Sequence, residues 1–283
     1  MDGPQTHALA DRLDAQLTGS PIERIDVPPD RWQANVVMMN CVGQVIQRVH
    51  ARGQWLLIDF SHGYTWMCQF VARSRGDLIV PPGPPKTTRS PNPPPAPKAR
   101  RIELLLRLTL DRGTALQLWG RPVLLIVPTP TVAAHDDFRA LGPDPIVTDD
   151  TRDGFVDAFA ARVRDAGNRT LASALLDSTI VAGIGNALKC EALFAARLRP
   201  SVKVSDLLAS QIRNAGNALA TICTQATADA RAARPRHHAV YDRAGDPCES
   251  CGQPILADHS GADGRMSWYC PSCQTGGDAP RLF

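Results

Sequence analysis

The stretch from Leu175 to Pro200, LLDSTIVAGIGNALKCEALFAARLRP, decides how the rest of this chain reads. Apolar periodicity runs out at Leu175-Leu176-Asp177, Gly183 and Gly185 permit a turn with exposed backbone N–H groups, and a second helix begins at Asn186. Such a turn at a helix N-terminus is an anion site, because unpaired donors and the positive end of the helix dipole point at the same place. Working outward, alanine-rich segments predict helices over 153–165, 171–177, 187–195 and 205–230.

Downstream, Cys248, Cys251, Cys270 and Cys273 form C-x2-C-x18-C-x2-C. Each close pair puts two thiolates on one tight turn, and two such turns close a tetrahedron around a soft divalent ion. One structural Zn2+ is the expected cofactor; a pair of disulfides is the alternative, which an intracellular chain disfavours. The other four cysteines, Cys41, Cys68, Cys190 and Cys223, stand singly among apolar neighbours and read as small buried hydrophobes. Between helices and cysteines lies a basic run, Arg231, Arg234, Arg236, His237, His238 and Arg243. It reads either as a solvated face or, beside a metal knuckle, as a phosphate contact.

Upstream the rhythm changes. Ala8, Leu9, Leu13 and Leu17 predict an N-terminal helix, with Pro4 suited to its first turn. Strand-like runs follow at 43–49, 55–60, 64–71, 102–110 and 115–127, a spacing that suggests a β-sandwich. Nine prolines between Pro81 and Pro97 cannot donate to a ladder, so that segment reads as a solvated insertion. The 283 residues favour two domains, and 43% hydrophobic with 21% charged residues exclude a disordered or fibrous chain. Without an eighteen-residue apolar run or a signal-peptide pattern, a soluble cytoplasmic protein with no membrane partner is expected. A net charge of +3 permits a polyanionic partner without requiring one.

The spacing from Leu-Leu-Asp to Gly-x-Gly-Asn resembles the helix-two-turn-helix element of the formamidopyrimidine-DNA glycosylase and endonuclease VIII family. The likeness continues at Leu141-Gly142-Pro143-Asp144-Pro145, at Val240 to Cys248, at Arg265 to Gln274 and, more diffusely, at Gly43 to Ile46 and Arg52-Gly53-Gln54. It implies an α+β protein: a β-sandwich with an N-terminal helix over 1–130, a linker over 131–150, a helix-two-turn-helix domain over 151–240 and a four-cysteine zinc-finger hairpin over 241–283. The implied partner is double-stranded DNA containing a damaged base, an abasic site or another lesion, bound by a monomer located at the nucleoid. Asn186, the Gly185 backbone and Arg265, five positions before the third cysteine, would grip phosphates. The family's N-terminal proline amine attacks the sugar C1′ and a neighbouring glutamate handles protons, giving base excision and strand cleavage through a Schiff base.

This chain departs from that pattern at its start, which reads Met1-Asp2-Gly3-Pro4-Gln5. Aligning Gly3-Pro4 places Met1 where the family has its proline and Asp2 where it has its glutamate, so a primary α-amine is the expected nucleophile. Gln54 replaces a lysine of the lesion-side phosphate contact, and Ala172 replaces a phosphate-binding lysine. Gln69-Phe70-Val71-Ala72 lacks a stack-filling methionine; Arg121 keeps a second stack-filling position, and Val123 replaces its companion phenylalanine. Three readings stand at this point: a glycosylase and AP lyase of altered specificity working through Met1 and Asp2; a catalytically silent paralogue that binds damaged DNA; or a mis-assigned start that hides the usual proline.

Overall fold

A computed structural model describes residues 1–27, 41–70, 75–79, 104–110, 113–120, 122–259 and 264–275. Arg121, Val71, Ala72 and the proline-rich segment from Pro81 to Pro97 lie outside the described residues. The chain forms two compact units: one of Met1, Leu9–His50 and Trp55–Val132, the other of Asp2–Ala8, Ala51–Gln54 and Ala133–Phe283.

In the first unit, helix α1 (Gly3–Leu17) contributes Leu9, Ala10, Leu13 and Leu17 to the core, the apolar face that its spacing predicts. Strands β1 (Ile22–Asp26), β2 (Ile46–Arg52), β3 (Trp55–Phe60), β4 (Tyr64–Gln69), β5 (Arg75–Ile79), β6 (Leu104–Leu110), β7 (Ala115–Trp119) and β8 (Val123–Pro128) form two four-stranded sheets. Their orders are β1-β6-β7-β5 and β2-β3-β4-β8. Nearly every residue of β3 is buried, so that strand is covered on both faces. Phe60 and Trp66 meet edge to face there, with ring centroids 5.2 Å apart. Asp14 ties α1 to this unit: the Val49 N–H donates to its carboxylate at 2.6 Å and the Thr18 hydroxyl at 2.8 Å. Those two bonds, the backbone one first, hold its carboxyl below the usual range.

Three elements differ from expectation, one of them β5 (Arg75–Ile79), which falls in none of the runs read as strands. The run 115–127 is two strands in different sheets, β7 beside β6 and β8 beside β4. Gly120 lies between them at φ +83°, a backbone state that turns the chain out of one sheet and that glycine adopts at least cost. Strand β1, Ile-Glu-Arg-Ile-Asp, has too few apolar residues to register as a strand, and only Ile22 and Ile25 are buried.

The second unit contains α2 (Asp136–Arg139), α3 (Asp149–Arg164), α4 (Leu171–Leu175), α5 (Asn186–Ala195), α6 (Ala209–Arg231) and the hairpin strands β9 (Leu256–Asp258) and β10 (Ser267–Tyr269). Phe155, Val156, Phe159 and Val163 of α3 pack with Leu188, Ala192 and Leu193 of α5 and Ile212, Leu219 and Cys223 of α6 in one continuous core. The sides of each helix that fill it recur at three- and four-residue intervals. Helix α4 starts at Thr170, whose hydroxyl accepts the Ser173 N–H at 3.2 Å. All four scattered cysteines are buried, and burial pushes the Cys68 thiol up to about 12, leaving it a protonated, inert group. Among the described residues no helix is long and apolar enough to cross a membrane.

Candidate nucleic-acid interface and metal centre

The turn before α5 is built by glycines that belong to three parts of the sequence. Gly183 has φ +78°, and a Cβ there would lie 3.0 Å from Gly3 Cα and 3.1 Å from Gly53 Cα. A Cβ on Gly53 would lie 2.9 Å from Ala182 Cβ. The first turn of α1 and the β2–β3 turn therefore press directly on the helix-two-turn-helix backbone, and the Gly3 N–H donates to Gly183 O at 2.8 Å. Asp144 of the Leu-Gly-Pro-Asp-Pro segment clamps the same place. Its Oδ2 accepts from the Gly53 N–H at 2.6 Å and lies 3.0 Å from His7 Nε2, while Oδ1 accepts from the Ile146 N–H at 3.0 Å. Arg52 reaches Leu141 O at 3.4 Å and stacks over the Phe138 ring at 4.8 Å. Gln54 thus sits, half-buried, in a turn fixed on both sides.

This packing delivers Asp2 to the mouth of α5. A Cβ on Gly185 would stand 3.3 Å from Asp2 Cβ. Asp2 caps α1: its Oδ1 accepts from the Gln5 N–H and the Gln5 Oε1 accepts from the Asp2 N–H, both at 3.3 Å, a reciprocal capping box. Its other oxygen, Oδ2, accepts from Arg236 Nη1 at 3.1 Å, and the two side chains are only 14% and 20% exposed. Met1 belongs to the first unit, where its amine donates to Phe70 O at 3.5 Å.

At the same helix mouth, Asn186 bonds to the segment that bears Arg265. Asn186 Nδ2 donates to the carbonyl of Met266, the residue after Arg265, at 2.9 Å. Lys189 lies beneath with no exposed surface, and its Nζ donates to Asn186 Oδ1 at 2.7 Å and to Ser267 Oγ at 2.8 Å. Arg265 itself is exposed, on the segment leading into β10.

The hairpin's root is tied to α5 by Glu191, whose buried carboxylate accepts the N–H groups of Ala239, Val240 and Tyr241 at 2.8, 3.0 and 2.9 Å. Cys190 and Phe194 of the same helix pack with Val240, Ile255, Trp268, Cys248, Cys270 and Cys273 in a small apolar core. Tyr241 and Trp268 meet edge to face at 4.7 Å. Gln274 closes the far end, accepting from the Cys270 N–H and donating to Leu198 O, both at 2.8 Å. The sulfur atoms of Cys248, Cys251, Cys270 and Cys273 all lie within 4.8 Å of one another, with Cys251–Cys270 at 3.4 Å and Cys248–Cys273 at 3.9 Å. Four thiolates around one ion at about 2.3 Å each would stand about 3.8 Å apart, so the donor set fits a tetrahedral metal.

The basic run is less available than its sequence suggests. Arg234 pairs with Asp229 at 2.8 Å, Arg236 with Asp2, Arg243 with Asp246 at 3.3 Å, and His237 with Glu249 at 3.1 Å. Sequence reasoning missed Arg236, Lys189, Glu191 and Asp144 as organisers of the site. Arg236 reads only as one member of a basic run, and its partner Asp2 and the partner of Asp144, Gly53, lie 234 and 91 positions away in the chain.

Residues 141–235 match the formamidopyrimidine-DNA glycosylase H2TH domain. Endonuclease 8 of Escherichia coli O17:K52:H18 is 28% identical over 289 residues, covering 96% of this chain and 99% of the relative. Formamidopyrimidine-DNA glycosylase of Methylococcus capsulatus is 30% identical over 254 residues, covering 82% of this chain and 83% of the relative. The Lactococcus lactis formamidopyrimidine-DNA glycosylase, solved non-covalently bound to DNA containing an AP site, superposes with a TM-score of 0.80 at 20% identity, covering 97% of this chain and all of that one. The chain belongs to the formamidopyrimidine-DNA glycosylase and endonuclease VIII family.

Proposed function

We propose that this protein is a DNA glycosylase of base excision repair that binds lesion-containing duplex DNA and cleaves abasic sites through the Met1 α-amine and the Asp2 carboxylate. The observation that carries the DNA grip is the Asn186–Met266 bond, which joins the helix mouth to the segment bearing Arg265 within one compact unit. Asn186, the Gly185 backbone and Arg265 hold phosphates of one strand, Gln54 stands in for the lysine of the lesion-side phosphate contact, and Arg121 keeps the stack-filling role by the family's pattern. Zn2+ on Cys248, Cys251, Cys270 and Cys273 would brace the hairpin structurally. The protein acts as a monomer in the cytoplasm, at the nucleoid.

In the chemical step the amine lone pair attacks C1′ and the C1′–N bond to the base breaks, with the departing base taking a proton from solvent. As the C1′–O4′ bond opens, nitrogen loses a proton to Asp2, O4′ gains one, and an iminium remains. Loss of a C2′ proton then expels the 3′ phosphate by β-elimination. Borohydride reduction of that iminium on an abasic duplex should leave a covalent protein–DNA adduct carried by the N-terminal residue found by intact mass. Asp2→Asn should slow trapping by about 10²–10⁴-fold. An unmodified N-terminus that forms no adduct on any lesion duplex overturns the lyase reading.

One observation favours a second reading, a silent paralogue that binds damaged DNA. Both oxygens of Asp2 already have partners, in Gln5 and Arg236. Salt-dependent binding that prefers lesion duplexes, with no cleavage after long incubation, would establish it.

A further inference from the structure

Arg236 follows α6 through Ala233, whose left-handed φ of +52° turns the chain back. By sequence it belongs to a cationic run suited to phosphates. Its guanidinium instead reaches a carboxylate 234 positions away, and four-fifths of its side chain is covered there. Asp2 is thus fixed on three sides: by the cap of α1 on Oδ1, by Arg236 on Oδ2, and by the Gly185 backbone against its Cβ. The cap restrains the carboxylate through one bond from a neutral donor at 3.3 Å, longer than the modal N–H···O bond, so the contact with the charged guanidinium at 3.1 Å is the stronger restraint on its orientation.

We propose that Arg236 is a positioning residue for Asp2: it sets the carboxylate's orientation beside the helix mouth and contributes nothing direct to the grip on phosphate. This rests on the reading of Asp2 as the proton-handling group. Its consequence is a separation of effects, since a residue acting through Asp2 alters the covalent step and leaves duplex affinity alone. An arginine touching phosphate does the reverse, and adds to the salt dependence of binding.

The test compares the full-length wild type with Arg236→Gln, Arg236→Lys, Asp2→Asn and the Asp2→Asn/Arg236→Gln double variant. Affinity and its salt slope are read on a duplex carrying a tetrahydrofuran abasic analogue. The covalent step is read as single-turnover borohydride trapping on a true abasic duplex. Arg236→Gln should slow trapping by about 10–100-fold, the effect of misplacing a reacting group by about an ångström, with affinity within about threefold and the salt slope unchanged. Arg236→Lys should recover part of the rate, and the double variant should be no slower than Asp2→Asn, because residues acting as one unit are not additive. A salt slope reduced by about one phosphate contact in Arg236→Gln overturns the proposal in favour of direct DNA contact. Undiminished trapping in Arg236→Gln, beside an impaired Asp2→Asn, overturns it alone. A wild type that forms no adduct overturns it together with the Met1 and Asp2 reading.

Discussion

The two flanks of the α5 mouth hold their polar groups by opposite means. On the Asn186 side, the amide is fixed by a lysine with no exposed surface, by a buried serine hydroxyl on that lysine, and by a backbone carbonyl. On the Asp2 side, a carboxylate is held by a partly solvated arginine and a helix cap. Burial makes the first arrangement insensitive to ionic strength and costly to rearrange, whereas the second is a charge pair that salt can weaken. Rigid cover thus serves the side where a phosphate is proposed to be gripped, and adjustable charge serves the side where a proton is proposed to move.

The strongest way to break this contrast is to remove a thiol of the four-cysteine cluster. Cys270→Ser should abolish stoichiometric zinc in the purified protein and lower duplex affinity by more than about 100-fold, because ion binding at such sites supplies about 10 kcal/mol or more of local order. Amide exchange at Gly3, whose N–H is bonded to Gly183 O, should be unaffected, since the hairpin does not touch that bond. The next effect comes from the glycine contact. Gly183→Ala adds a side chain at φ +78° and a Cβ about 3 Å from two backbones, so a loss of about 2–4 kcal/mol is expected in denaturant titration, with faster Gly3 exchange. The smallest effect sharpens the comparison. Lys189→Met removes the buried cation and with it the orientation of Asn186; affinity should fall by about tenfold with an unchanged salt slope, while the melting temperature changes little because the desolvation cost of the amine disappears too. A reduced slope would make Lys189 a phosphate contact.

Much of the four-cysteine cluster and the helix mouth was legible in the sequence, because both depend on neighbours: two Cys-x2-Cys turns, and two glycines before a helix. Strand β3 was legible to the residue, since its apolar run is bounded by Gly53 and by Ser61. What escaped was everything set by distant partners. Gly3 and Gly53 are ordinary turn glycines until Gly183 is placed against them, and the Asp2–Arg236 pair has no periodic signature. Lys189 is legible only in three dimensions, since a lysine on a helix reads as solvated unless hydroxyl, amide and carbonyl oxygens converge on it. The single run read at 115–127 failed for a related reason: its apolar content is continuous, and only the backbone state of Gly120 divides it.

The Glu191 carboxylate has a consequence for how the C-terminal knuckle is assembled. Three successive amides at its base are anchored on a helix of the main core, and none of those bonds needs an ion. A metal on the four cysteines would therefore arrive at a loop that is already moored at one end, and would tighten a partly made structure instead of nucleating a free peptide. Chelation should then leave a tethered, reloadable finger, and the order of events in assembly would be helix first, ion last.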